Sequence, residues 1–110
     1  MKVDQKGNTV VIKDTSESVT EFLDKVVHEY KTFESQNIIL DLTFNTTVKV
    51  ADVKLFQDLS KQHKKNKKSF VIVASGINFN EVPKNVHAVP TLLEAHDIIE
   101  IEEIERDLGF

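Results

Sequence analysis

At 110 residues and 12.5 kDa, the chain has the length of one domain with a modest core. Hydrophobic residues at 40% and charged residues at 29% argue for a folded globular chain over a disordered one, and a net charge of −4 disfavours a dedicated nucleic-acid binder. The absence of cysteine excludes disulfides, thiolate metal sites and cysteine nucleophiles, and agrees with a cytoplasmic address.

Membrane association is not expected either. No apolar run approaches the ~20 residues that cross a bilayer, and Met1-Lys2-Val3-Asp4 lacks the apolar stretch of a signal peptide. From the N-terminus, Lys2 to Gln5 and Thr9 to Asp14 flank Lys6-Gly7-Asn8, whose Gly and Asn tolerate a tight turn, so a β-hairpin is predicted with Val10-Val11-Ile12 buried. Ser18 followed by Glu21 forms an S-x-x-E capping box. Behind it Val19, Phe22, Leu23, Val26, Tyr30 and Phe33 recur at helical spacing, which predicts one helix from about Val19 to Phe33.

Asn37-Ile38-Ile39-Leu40-Asp41-Leu42 has the short, weakly alternating apolar pattern of an interior strand. From Val50 a second helix is predicted, with Val53, Phe56, Leu59 and His63 on one side and Leu55 beside them. Asp52 near its start and Lys61, Lys64 and Lys65 near its end suit the helix dipole. Phe70-Val71-Ile72-Val73-Ala74 is a second interior strand. A loop containing Pro83 leads to a brief strand from Val86 to Val89, and Thr91 with Glu94 caps a last helix. The order β-β-α-β-α-β-loop-β-α implies a single α/β domain. It would hold a mixed, mostly parallel sheet of about five strands, an N-terminal hairpin and about three helices. Periodicity alone leaves open whether the helices cover one face or both.

The stretch from Ile38 to Ala74 resembles the STAS domain, the fold of bacterial anti-sigma factor antagonists. Ile39-Leu40-Asp41-Leu42 is similar to the family's strand that ends in Asp or Asn, Phe70-Val71-Ile72-Val73 to its next strand, and Thr91-Leu92-Leu93-Glu94-Ala95 to its closing helix start. Where the family carries D-S-S-G at the opening of the second helix, this chain has Lys49-Val50-Ala51-Asp52. The phosphorylatable serine of the family therefore corresponds to Ala51, which has no hydroxyl to carry the charge of a phosphate. Thr46 and Thr47 lie just upstream and offer hydroxyls for modification in its place, although such residues ordinarily serve as turn or cap groups. The segment after Ser75 is short for the family's third helix.

The resemblance implies a non-enzymatic, regulatory protein-interaction module that binds another protein without a cofactor. Its expected partner surface is the connection before the second helix: Asn45, Thr46, Thr47, Lys49, Ala51 and Asp52. The residues supply no competing chemistry. His28, His63, His87 and His96 stand singly with no H-x-H, so no metal site is expected. His63 reads as a hydrogen-bonded core imidazole. Glu100 and Glu103 read as a solvated acidic face, and neither G-x-x-x-x-G-K-[ST] nor G-x-G-x-x-G occurs.

Two charge features stand out. Lys61, Lys64, Lys65, Lys67 and Lys68 form a basic cluster. It supports an alternative function as a small RNA-associated accessory protein, although stacking aromatics are missing. The C-terminal segment is rich in acids, and its apolar residues change sides: Leu92, Ala95 and Ile99 line one side, Ile101, Ile104 and Leu108 nearly the opposite one. A kink, a strand-like break at Ile99-Glu100-Ile101, or a second apolar stripe would each account for this. The stripe is preferred, with 101–110 a helical extension reaching beyond the domain. Ile101, Ile104, Leu108 and Phe110 would then form an oligomer interface, with lysines of a second copy complementing the acids in a homodimer.

Overall fold

A computed structural model of the chain describes residues 1–15 and 18–109. Strands β1 (Lys2–Lys6) and β2 (Thr9–Lys13) form the hairpin. Gly7, at φ +59, takes the first loop position, where a type II′ hairpin needs positive φ. β3 (Asn37–Asp41), β4 (Phe70–Val73) and β5 (His87–Val89) then add in sequence order, each parallel to its neighbour. The result is a five-stranded mixed sheet in the order β1-β2-β3-β4-β5. The α/β class and the antiparallel edge followed by parallel strands agree with the sequence reading.

The sheet is covered on both faces. Val10, Ile12, Ile38, Leu40, Phe70 and Ile72 point to one side, where α1 (Val19–His28), α2 (Tyr30–Phe33), α3 (Val50–Lys54) and α4 (Gln57–Lys65) bury Phe22, Val26, Phe33, Val53, Phe56 and Leu59. Val11, Ile39, Val71 and Val73 point the other way and meet α5 (Leu92–Asp107) through Ala95 and Ile99. This arrangement explains why β3 and β4 are apolar without alternation, since neither face of those strands meets water. β1, at the edge, is exposed along its whole length and carries Lys2, Asp4 and Lys6, a composition that discourages pairing with other chains.

Two of the three predicted helices are divided. The helix expected from Val19 to Phe33 breaks at Glu29, and the second breaks at Leu55–Phe56. No Gly or Pro marks either break. Phe56 and Tyr30 adjoin them, and both turn into the core: Phe56 lies 6.3 Å from Phe22 by ring centroid, and Tyr30 bonds to His63. Leu55, expected beside the core stripe, is instead exposed at the break.

The caps fall where expected: Ser18 Oγ accepts from the Glu21 amide at 3.3 Å, and Thr91 Oγ1 from that of Glu94 at 3.2 Å. Between β4 and β5 there is one 3₁₀ turn, Phe79–Glu81, in place of a helix. The last helix neither breaks into a strand at Ile99–Ile101 nor projects away from the sheet. It runs unbroken, and Arg106 near its end donates to Ser69 Oγ at 3.2 Å and Asn37 Oδ1 at 3.3 Å.

Candidate interaction surfaces

The connection from β3 to α3 lies at the edge where the parallel strands end. Two successive side-chain turns shape it. Asp41 Oδ1 accepts from the Thr43 amide at 2.9 Å and its hydroxyl at 2.6 Å, and Asn45 Oδ1 accepts from the Thr47 amide at 3.0 Å and its hydroxyl at 2.7 Å. Asp52 Oδ2 then accepts from the Lys49 amide at 2.9 Å and closes the start of α3. Thr47 is thus a turn residue, its hydroxyl held by Asn45, while Thr46 is exposed. Ala51 sits exposed in the first turn of α3, within the same surface as Asn45, Thr46, Thr47, Lys49 and Asp52.

Sequence reading missed the most prominent group here. Phe44 is 70% exposed between the two turns. It belongs to no apolar stripe and stands alone among Thr43, Asn45, Thr46 and Thr47, a pattern that marks an aromatic with no place in the core. Beside it a cleft of ≈ 330 Å³ is lined by Lys2, Lys13, Asp14, Thr15, Asp41 and Thr43 together with Phe44. Asp14 and Asp41, both buried, come from adjacent strand ends whose backbones are joined by the Asp14 amide and the Asp41 carbonyl at 2.9 Å. The edge therefore combines a projecting aromatic ring with a charged recess.

The lysine cluster lies at the opposite end of the sheet, in the last turns of α4 and the turn into β4. Lys67 adopts φ +60, and the Lys67 amide bonds the Lys64 carbonyl at 2.9 Å while that of Lys68 reaches the His63 carbonyl at 3.4 Å. These are the paired bonds of a Schellman cap. The cluster is not gathered into one basic face. Lys64, Lys67 and Lys68 share a shallow cleft with Glu102, Glu105 and Arg106 of α5, and the Lys64 ammonium donates to the Asn85 carbonyl at 2.9 Å. Lys61 and Lys65 are exposed and do not line that cleft. Carboxylates of the same chain thus stand where a phosphate backbone would have to approach.

His63 is fully buried. Its Nε2 lies 2.7 Å from the Gln36 carbonyl, which can only accept, so Nε2 carries the proton. Nδ1 is then left to accept from the Tyr30 hydroxyl at 2.6 Å, and Asn66 Nδ2 donates to that same hydroxyl at 3.2 Å. Burial pushes the imidazole below its ordinary value of 6.5 against the opposing effect of the Gln36 carbonyl, and burial pushes the Tyr30 phenol above 10.0. Both rings are satisfied members of the core.

On α5, Ile101, Ile104 and Leu108 are all exposed, whereas Phe110 lies outside the described residues. His87 Nδ1 lies 3.4 Å from Glu102, a salt bridge when the imidazole is protonated. Among the described residues, no three His, Asp or Glu side chains gather in an arrangement that could hold a metal ion, and no helix is long and apolar enough to cross a membrane. No family model matches the sequence, and no curated protein matches it.

Proposed function

We propose that the protein is a non-enzymatic STAS-like interaction module of the cytoplasm that docks another protein through the connection between β3 and α3. It is not switched at the position where that family carries its serine. The observation that carries this reading is the projection of Phe44, 70% exposed, from the same connection that ends in Ala51 at the start of α3. Aromatic residues, Phe among them, are enriched at the cores of protein interfaces relative to the rest of the surface. Asp41, Asn45 and Asp52 hold the surrounding backbone in three side-chain bonded turns, so little ordering is needed on contact.

Affinity capture from host extract, comparing the unaltered chain with Phe44→Ser and with Thr47→Glu combined with Asp52→Lys, tests the reading. A protein retained by the unaltered chain is expected to be lost with both variants, their folding checked by circular dichroism. Recovery unchanged by either set defeats the proposal. Salt-dependent RNA binding abolished by Gln at Lys61, Lys64, Lys65, Lys67 and Lys68 would replace it with the nucleic-acid reading.

A further inference from the structure

The outer side of α5 carries an apolar seam that the fold leaves open. At ~100° per residue, Leu93, Ile101, Ile104 and Leu108 fall within an arc of about 80°. They are 73%, 56%, 56% and 66% exposed, respectively. The opposite arc holds Ala95, Ile99 and Arg106, which face the sheet. In a seven-residue repeat, Ile101 and Leu108 occupy a and Ile104 occupies d, the positions that meet a partner helix. Ala95, Ile99 and Arg106 occupy b or f, which turn away from one.

On α5 itself the charges beside the seam have one sign, while Lys64, Lys67 and Lys68 share a cleft with Glu105, and Lys6 shares one with Glu100. Glu100 and Asp107 take g positions and Glu105 an e position, and all three are exposed. Asp97, at the preceding d position, adds a further acid and confines the continuous apolar part to Ile101–Leu108. Arg106, the one Lys or Arg in α5, is committed behind the helix to Asn37 and Ser69. Charges at e and g select partners in paired helices. A second α5 would bring acids against acids in either orientation.

We propose that this face docks an amphipathic helix of another protein, with aliphatic residues at a and d and Lys or Arg at e and g. The surface belongs to the sheet face opposite α1–α4 and does not depend on the role of Phe44.

The test uses the full chain and two synthetic helical peptides of about three heptads. Both carry Leu at a and d; one has Lys at e and g, its twin Glu. Fluorescence anisotropy is expected to show binding of the Lys peptide alone, weakening as salt is raised. Ile101→Ser with Ile104→Ser, which keeps every charge, should weaken that binding about tenfold or more, a loss of ~1.4 kcal/mol. Glu100→Lys, Glu105→Lys and Asp107→Lys together should transfer preference to the Glu peptide. Circular dichroism and light scattering accompany each variant. The proposal is overturned if the Lys peptide does not bind, or if its binding survives Ile101→Ser with Ile104→Ser, which would mean attraction by charge alone. It is equally overturned if light scattering finds a homodimer that this pair of substitutions dissolves.

Discussion

Tyr30 and His63 are separated by 33 residues, yet the phenol donates to the imidazole across 2.6 Å inside the core. Removing that hydroxyl by Tyr30→Phe leaves Nδ1 of His63 buried without its donor, a loss expected to cost about 1–3 kcal/mol in urea unfolding. The imidazole also predicts a pH dependence. Its folded pKa lies below the ordinary 6.5, so on acidification the unfolded chain takes up a proton first. Stability is therefore expected to decline below about pH 6.5 until the folded value is reached, with no contribution from His63 above that range. Titration of the His63 ring by NMR checks this, since a midpoint at or above 6.5 would contradict it. Tyr30 acts at the other end: the unfolded chain loses its phenolic proton first above pH 10, so stability falls there too. A different strain sits at Lys67, whose φ of +60 places a side-chain-bearing residue where a Schellman cap favours glycine. Lys67→Gly is expected to stabilise the protein by about 1 kcal/mol, read as a higher urea midpoint at unchanged slope.

At the scale of elements, α5 is the part whose behaviour follows least from its own spacing. Its apolar residues point two ways because only one set meets the sheet, and the set that turns out is the acid-flanked seam. The helix is held at its start by Leu92, Ala95 and Ile99 and near its end by Arg106. Arg106→Ala is expected to release the last turns first: backbone amides of residues 104–108 should exchange faster with solvent while those of α1 stay unchanged. Uniform acceleration along the chain would instead show that the guanidinium supports the whole fold. The breaks in the first two helical regions have a related origin. Phe56 enters the core between α3 and α4, and Tyr30 reaches His63 from the start of α2, and both contacts override a spacing compatible with uninterrupted helices.

At the scale of the molecule, one sheet separates two cores of unequal size. The larger, under α1–α4, contains three of the bulkiest fully buried side chains, Phe22, Phe56 and Phe70. Phe56→Ala is expected to cost about 3–5 kcal/mol, enough to threaten folding in a chain of this length. Ile99→Ala in the smaller core should cost about 2–5 kcal/mol by the same measure. Comparing their thermal midpoints with exchange in α5 separates loss of the whole fold from loss of its outer helix.

The chain's own periodicities determined much of this: the hairpin, both interior strands, the caps at Ser18 and Thr91, and the sheet class were legible because backbone geometry and local hydrogen bonding act over neighbouring residues. Ala51 at the head of a helix was legible for the same reason. Tertiary packing alone decided that α5 closes the second face, that Lys64, Lys67 and Lys68 share a cleft with Glu102 and Glu105 of the same chain, and that Phe44 stays largely exposed at the rim of a cleft. Those outcomes depend on which distant surfaces fill the space beside each residue, and spacing along the chain carries no record of that.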